Sequence, residues 1–429
     1  MDLLALSGPL GASHEVLLLD AVAEGLDERS ALERAKALTP DAAIQLVGSL
    51  TLQRDLDFAG ALRRATGLQL LAVLGEPVLD SAEELLAREP AIDAALFDFL
   101  GPDAAALVNG YPDAVFNGAV RQGRGVTIRR ERPRGSFRLG RVRHDLLLRA
   151  AYHVPPAAPA PFASVLASFG CPYSCAYCNS GVACLGFARR EIDDLALELD
   201  YLARAGICNL FFRDMSFGAD PAAARAVLAL LRATRPGFSW TCYARPDRLD
   251  PDLVPEMARA GCRQIQFGVE SARTEVLEGV ERRADPARVE AAFNAARRAG
   301  IEAGAHFVLG LPGDSEAAIR ETMAWALDLE PAYASFNLFQ PRHGTPARAA
   351  LGLAAATASD ASFGRPGPGA ALPAEQLVRL RREAYRRFYL RPRYLGQRLA
   401  RTRSTAEILD LARAARGLAR GLLRGHRER

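Results

Sequence analysis

The stretch Cys171-Pro172-Tyr173-Ser174-Cys175-Ala176-Tyr177-Cys178 decides how the chain is interpreted. It directly follows residues 163–169, an apolar run that predicts a buried strand. Helical segments, such as residues 285–299 before Gly300, alternate with further strands. The six predicted strands are residues 163–169, 209–213, 238–244, 264–269, 303–309 and 333–339. Six such units are too few for a closed eight-stranded barrel, so we predict an open, partial (β/α)6 barrel of the TIM type.

Three thiols within eight residues indicate a metal site. Thiolates are the usual ligands of iron–sulfur clusters, and a cubane takes four ligands. If Cys171, Cys175 and Cys178 supply three of them, one iron stays open. That iron could bind the amino and carboxylate groups of S-adenosylmethionine (SAM). The spacing therefore predicts a [4Fe–4S] cluster held by these three cysteines.

Zinc and unrelated buried thiols are the alternatives. Structural zinc sites are closed, four-coordinate and usually built from paired C-x2-C elements. This chain has no second such pair, and His153 and His343 have no ligand-like spacing. The other cysteines, Cys184, Cys208, Cys242 and Cys262, are interpreted as small buried apolar residues, so we expect one cluster.

The C-x3-C-x2-C motif, with aromatic Tyr177 before its last cysteine, resembles the radical SAM superfamily over roughly residues 161–348. The resemblance implies a partial (β/α)6 barrel that cleaves SAM to a 5′-deoxyadenosyl radical. It also implies that Tyr177 packs beside the adenine, and that an electron donor such as flavodoxin or ferredoxin reduces the cluster. It assigns no catalytic residue beyond the cluster ligands. A non-catalytic metal-binding module is the alternative from another functional class.

Two further motifs support the resemblance. Gly268-Val269-Glu270-Ser271 resembles the family's G-V-E-S, in which the glutamate contacts the ribose hydroxyls. The alternative for Glu270 is a solvated carboxylate at a helix start. Gly310 lies in a G-L-P-G turn that resembles the family's fifth strand end, where glycine permits close approach to the ligand. We therefore predict that Glu270, Ser271 and Gly310 bind SAM.

Asp214 and Arg245 follow the second and third predicted strands of the barrel. Barrel active sites are built at the carboxyl ends of strands, so both are candidate cofactor-binding residues. Ordinary polarity at a strand end is the alternative for each of them.

The N-terminal part also alternates strands and helices. Its predicted strands are residues 43–47, 69–74 and 94–99, its helices are 53–66 and 81–88, and a hairpin spans 116–133. This order predicts a parallel, doubly wound Rossmann-like sheet. It resembles the radical SAM branch with an N-terminal cobalamin-binding domain, which makes cobalamin the expected further cofactor. The motif D-x-H-x-x-G is absent, and Gly75-Glu76 stands where the branch commonly has two glycines, so a domain that lost the cofactor is the alternative.

Composition limits the partners and the location. The formal net charge is +4, and the basic residues are arginine except for Lys36, so we predict no nucleic-acid partner. No apolar run is long enough to cross a membrane and no secretory signal is evident, which predicts a cytoplasmic protein. The segments 381–389 and 404–423 are amphipathic and Arg-rich. We favour a helical cap on the barrel over a membrane-surface contact there.

These observations predict five segments and one activity. The segments are a cobalamin-binding-like domain with a trailing hairpin (1–133), a linker (134–160), the radical SAM barrel (161–348), a flexible linker (349–372) and an Arg-rich helical region (373–429). The predicted activity is cobalamin-dependent C-methylation of an unactivated carbon in a small-molecule or lipid substrate. Cobalamin-independent cyclisation or rearrangement is the alternative within the family.

Overall fold

The protein is described by a computed structural model that covers residues 2–100, 103–110, 117–123, 125–131, 134–147, 161–181, 185–353 and 365–401. The N-terminal elements are α1 (Asp2–Leu10), α2 (Glu28–Leu38), β1 (Ala42–Leu46), α3 (Leu52–Thr66), β2 (Leu70–Leu74), α4 (Val78–Arg88), β3 (Ala94–Leu96), α5 (Asp103–Val108), β4 (Gly118–Gln122) and β5 (Gly125–Arg129).

The N-terminal sheet has the order β1-β2-β3-β4-β5. Strands β1 to β3 are parallel, and β4 and β5 add an antiparallel hairpin at one edge. Helix α4 buries Val78, Ala82, Leu85 and Leu86, which recur at helical spacing on the face that packs on the sheet. The predicted α/β fold and hairpin are confirmed, whereas α1 and α2 were not predicted.

A small sheet joins the N-terminal part to the barrel. Its neighbours are β6 (Arg134–Phe137), β9 (Phe187–Arg190) and β8 (Ser168–Gly170), in that order. The predicted strand 163–169 is therefore wrong as one element, because it divides into β7 (Phe162–Val165) and β8. The division has a physical cause: the Asp214 carboxylate accepts hydrogen bonds from Ala167 N (3.0 Å) and Ser168 Oγ (2.6 Å), which takes the chain out of the barrel sheet.

The barrel elements come next in the chain. They are α6 (Ile192–Arg204), β10 (Asn209–Phe212), α7 (Pro221–Ala233), β11 (Ser239–Ala244), α8 (Leu253–Arg259), β12 (Cys262–Glu270), α9 (Thr274–Glu278), α10 (Pro286–Arg298), β13 (Glu302–Leu309), α11 (Glu316–Asp328), β14 (Tyr333–Leu338), α12 (Pro346–Ala350), α13 (Ala374–Tyr389) and α14 (Pro392–Arg401). Five strands, β10 to β14, match the predicted segments to within two residues.

The barrel sheet is entirely parallel, in the order β14-β13-β12-β11-β10-β7, and its ends do not pair. Alternate residues of each strand, such as Phe267 and Phe307, pack under the helices. The residues between them face the inside of the sheet. We call this inner side the lumen. The structure thus confirms the predicted open, six-stranded barrel.

Helix α13 covers the edge strand β14. It buries Leu377, Leu380, Ala384 and Phe388. The hydroxyl of Tyr389 accepts from Ala334 N (3.1 Å) and donates to Ala334 O (2.7 Å), so it satisfies backbone groups that an edge strand would leave unpaired. The residues 381–389 therefore cap the barrel, while 404–423 lie outside the described residues. No described helix is both long and apolar enough to span a bilayer.

The part predicted as a linker, 134–160, is described up to residue 147. It contributes β6 and a 3-10 turn at His144–Leu146. His144 and Glu198 are both buried, and His144 Nε2 lies 2.6 Å from Glu198 Oε1, which ties this segment to α6. The domain boundaries stay a prediction.

Candidate active site

The cysteine loop, residues 171–178, lies between β8 and β9 at the carboxyl end of the barrel. Gly170 enters it with φ +70°, and a Cβ there would lie 2.0 Å from Gly186 O, so this position requires glycine. Ala176 N donates to Val280 O (2.9 Å), and Ala176 O accepts from Ala347 N (2.9 Å). These bonds tie the loop to the segment after α9 and to the first turn of α12, across the barrel mouth.

Burial favours the neutral form of two of the three thiols, Cys171 and Cys178. Cys171 and Cys175 are buried, and Cys178 is partly exposed. Burial raises the pKa of Cys171 to about 12 and raises the pKa of Cys178. Within the described ranges, no three His, Cys, Asp or Glu side chains converge on a single ion. In a cubane each thiolate binds a different iron, so three thiols that do not converge on one ion are compatible with a [4Fe–4S] cluster.

Arg245 brings a positive charge to the cysteine loop. Its Nη1 donates to Cys175 Sγ at 3.5 Å, and its guanidinium lies 4.5 Å from the centre of the Tyr173 ring. Asp247 holds it with two hydrogen bonds, from Nε (3.1 Å) and Nη2 (2.6 Å). Such a bidentate pair fixes the guanidinium plane. Arg245 was predicted as a site residue, but its orienting partner Asp247, two residues later, was not.

Glu270 and Tyr177 meet at a buried arginine that the sequence did not indicate. Arg282 Nη1 lies 3.4 Å from Glu270 Oε1 and donates to the Tyr177 hydroxyl at 3.3 Å. Glu270 has φ +69°, a strained conformation for a residue other than glycine, next to a shift in the register of β12. Burial raises the pKa of both Glu270 and Tyr177. The structure therefore brings Glu270 and Tyr177 together, with Arg282 between them, and their contacts with the ribose and the adenine stay a prediction.

Asp214, Ser271 and Gly310 are engaged by the protein itself. Asp214 is buried against residues 167 and 168, and burial raises its pKa to about 6 although hydrogen bonds from Ser168 and Ala167 oppose the shift. Ser271 Oγ lies 3.4 Å from Thr322 Oγ1. Gly310 has φ +81°, and a Cβ there would lie 2.6 Å from Leu377 Cδ1 of α13, so its close approach is to that helix. Cofactor binding by these three residues stays a prediction.

The lumen carries a row of polar and aromatic side chains that we call the lumen band: Arg213, Tyr243, Gln266, His306 and Ser335. His306 Nδ1 lies 2.7 Å from Ser335 Oγ, and its Nε2 lies 3.2 Å from Gln266 Oε1. Burial lowers the pKa of His306 to about 4, so the ring is neutral near pH 7. Sequence reasoning missed this band. The available signal was the polar residues at alternate positions of otherwise apolar parallel strands.

Comparison with known proteins identifies the part of the chain that contains the cysteine loop. The model of the radical SAM superfamily matches residues 165–326, which include the cysteine loop and β10 to β13. Residues 165–326 are therefore a radical SAM domain. This radical SAM protein is 26% identical to an uncharacterized methyltransferase of Pyrococcus horikoshii, over 92% of this chain and 88% of the relative. It is also 26% identical to a tryptophan 2-C-methyltransferase of Streptomyces laurentii, over 41% of this chain and 32% of that protein.

A solved structure shares the architecture of this radical SAM protein. It is the radical SAM methyltransferase TsrM from Kitasatospora setae with cobalamin and a [4Fe–4S] cluster bound, with a TM-score of 0.65, 19% identity, and coverage of 80% of this chain and 73% of that one. At 19% identity, the similarity between the two structures establishes the fold alone. The chain and that structure share the combination of an N-terminal Rossmann-like sheet with a partial barrel.

Proposed function

We propose that this radical SAM enzyme holds a [4Fe–4S] cluster on Cys171, Cys175 and Cys178 and uses it to cleave SAM. The observation that carries the proposal is the position of the cysteine loop, folded over the carboxyl end of an open parallel barrel with Arg245 against Cys175 Sγ. The donor set fits, because three thiolates leave one iron of a cubane open. When bound there, a [4Fe–4S] cluster reduced by an external electron donor would supply one electron for cleavage of the S–C5′ bond of SAM to methionine and a 5′-deoxyadenosyl radical, which would take a hydrogen atom from the substrate.

The chain's own residues bind and orient SAM in this proposal. The Glu270 carboxylate accepts the two ribose hydroxyls, since an ionised carboxylate offers two acceptor oxygens. Tyr177 flanks the adenine, and Arg282 keeps both side chains in place. Arg245 balances the negative charge of the thiolates, and Asp247 fixes its orientation.

We further propose that cobalamin lies on the carboxyl edge of the N-terminal sheet and that the reaction is C-methylation. Leu46 ends β1, and Leu50 lies in the turn that leads to α3; the two side chains are 47% and 43% exposed. Gly48 and Ser49 between them are small, so an apolar face of a planar cofactor can cover this edge. When bound, cobalamin would supply the methyl carrier. Methyl transfer by the named relatives and cobalamin in the TsrM structure support this proposal.

The first experiment tests the radical chemistry. The full-length protein is reconstituted anaerobically with iron and sulfide, reduced with dithionite and supplied with SAM, and 5′-deoxyadenosine is quantified. We expect Cys175→Ala to lose both bound iron and product. The matched control is Cys208→Ala, which removes a cysteine remote from the loop and should retain both. Product formation by Cys175→Ala would refute the assignment of the cluster ligands.

The second experiment tests cobalamin. Reconstitution with hydroxocobalamin, followed by gel filtration, should leave corrinoid absorbance with the protein, and SAM labelled in its methyl group should transfer the label to a substrate. Leu50→Arg should reduce the bound corrinoid. Leu197→Arg changes another leucine that is 67% exposed, on α6, and should not. No corrinoid at saturating cobalamin would exclude cobalamin-dependent methylation.

One observation favours a second candidate, a radical reaction without cobalamin. Glu76, at the place where the branch commonly has glycine, accepts from Arg342 Nη1 (3.0 Å) and from His343 N (3.2 Å). The turn after β2 therefore contacts the barrel directly. If 5′-deoxyadenosine forms and no corrinoid binds, cyclisation or rearrangement is the reaction to test. Either reaction requires an electron donor and a substrate; a flavodoxin or ferredoxin and a small-molecule or lipid substrate remain our proposal.

A further inference from the structure

Arg213 differs from the other arginines around the barrel mouth. It follows β10, is half-buried, and lies over the rings of Phe211 and Tyr243, at 5.1 and 5.8 Å from their centres. In the described ranges its guanidinium makes no ion pair and donates no hydrogen bond. Arg245 and Arg282, in contrast, are paired with carboxylates. Arg213 thus presents a guanidinium fixed on aromatic faces with its N–H groups available.

The strand register places Arg213 close to the reacting region. Tyr243 pairs in register with Gln266, and Arg213 follows Phe212, the partner of Cys242, so Arg213 lies level with Tyr243. Arg245 is two residues further along β11 on the same face. Because a strand rises about 3.3 Å per residue, the Arg213 level lies roughly 6–7 Å below the level of Arg245, which contacts the cysteine loop.

The neighbouring strands supply neutral polar groups at these two levels. Gln266 and the neutral His306 lie on β12 and β13, and Ser335 lies on β14 beside His306. Tyr333, on the same strand, has a buried hydroxyl with no partner among the described residues. A molecule in the lumen would therefore meet one available cation at one side and uncharged donors and acceptors at the other.

We propose that Arg213 receives an oxyanion of the substrate, a carboxylate or a phosphate, and that the ring of Tyr243 packs against a planar part of the same molecule. This inference rests on the proposed function, because it takes the lumen as the substrate site. A guanidinium matches the geometry of either oxyanion with two parallel hydrogen bonds. The anion would anchor the substrate one level below the cysteine loop, so that an adjacent carbon lies at the level of Arg245.

The test measures binding of small aromatic probes to the reconstituted full-length protein by calorimetry. Benzoate and phenyl phosphate carry the two oxyanions, and benzamide is the neutral analogue. We expect at least one anion to bind about tenfold or more tightly than benzamide, as hydrogen bonds to a charged group allow. The anion that binds more tightly shows whether the substrate carries a carboxylate or a phosphate. Arg213→Gln should abolish the preference, whereas Arg213→Lys should keep part of it.

Two further variants separate the anion site from other effects. Arg263→Gln removes an exposed arginine of β12 and should leave the preference unchanged. Tyr243→Leu should weaken binding of all three probes, because the ring contact is shared. Equal binding of anions and benzamide, no binding of any probe, or an unchanged preference in Arg213→Gln would overturn the proposal. If Arg213 only packs on the rings, Arg213→Gln would lower the melting temperature and leave the preference intact.

The outcome stays distinct from that of the proposed function, because 5′-deoxyadenosine is measured separately on the wild-type enzyme. An anion preference that depends on Arg213, without 5′-deoxyadenosine, would refute the radical chemistry and not the anion site. Formation of 5′-deoxyadenosine without an anion preference that depends on Arg213 would refute the anion site alone.

Discussion

The buried ionic network behind the small sheet allows one prediction to be worked out in detail. Arg190 Nε donates to Asp194 Oδ2 at 2.6 Å, Arg190 Nη1 donates to Glu198, and His144 Nε2 lies 2.6 Å from Glu198 Oε1. The side chains of His144, Arg190 and Glu198 are at most 1% exposed. Glu198→Gln keeps the shape of the side chain and removes its charge.

The expected cost follows from this geometry. Removing one partner of a buried ion pair costs about 3–5 kcal/mol, and we expect about 3 kcal/mol because Arg190 keeps Asp194. For a unit of roughly 200 residues this corresponds to a decrease of about 6–12 °C in the melting temperature. Asp193→Asn is the matched control, since its pair with Arg138 joins the same two segments at the surface, with side chains 65% and 53% exposed. That variant should cost much less than Glu198→Gln, because water screens an exposed ion pair.

The assay is thermal unfolding followed by circular dichroism, repeated at lower pH. Burial alone would raise the pKa of Glu198, but the hydrogen bond from His144 and the charge of Arg190 outweigh burial and lower it. Because the pKa of Glu198 is lower in the folded state, its ionisation stabilises the fold at pH values above the pKa of the unfolded chain, about 4.3. This stabilisation is lost as the pH falls through the folded-state pKa. The difference between wild type and Glu198→Gln should therefore shrink in acid. A Glu198→Gln cost no larger than that of Asp193→Asn would refute the reasoning.

Three further predictions concern single residues. Asp214 has a folded-state pKa raised to about 6, so wild-type stability should fall by up to about 3 kcal/mol as the pH rises from 4 to 6, and Asp214→Asn should lack this slope in urea titrations. Gly170→Ala should lower bound iron after reconstitution, because its Cβ would meet the Gly186 carbonyl at 2.0 Å. The control is Gly206→Ala, at a position with φ +73° where no atom lies within 4 Å of an added Cβ. It should lower the free energy of unfolding by about 1 kcal/mol and leave bound iron unchanged. Equal amounts of bound iron in the two variants would contradict the role of Gly170. Tyr389→Phe should destabilise the barrel by about 1–2 kcal/mol in the same melts, since it leaves backbone groups of β14 unpaired, and an unchanged melting temperature would argue against that role.

Local pattern was sufficient for much of the barrel. Strands β10 to β14 are largely apolar segments of strand length between helical segments, and such patterns depend on neighbouring residues. The three cysteines lie within eight residues, so their proximity follows from chain connectivity alone. In the N-terminal part, β1 to β3 were predictable for the same reason. The helices α1 and α2 were missed, since α2 is only weakly apolar and depends on its Asp27 cap and on two buried alanines.

Tertiary structure alone decided how the site is completed. Arg282 reaches Tyr177 across 105 positions of sequence, and no local pattern relates the two. The turn after β7 depends on Asp214, which is 47 residues from Ala167, so the apolar run 163–169 could not reveal that it divides. The close approach of Gly310 is to Leu377, on a helix that packs back from the end of the barrel. The sequence by itself thus determined the cysteine loop and the barrel strands, because these depend on neighbours along the chain. Which side chains orient them depended on contacts that exist only after the strands have assembled into the curved sheet around the lumen.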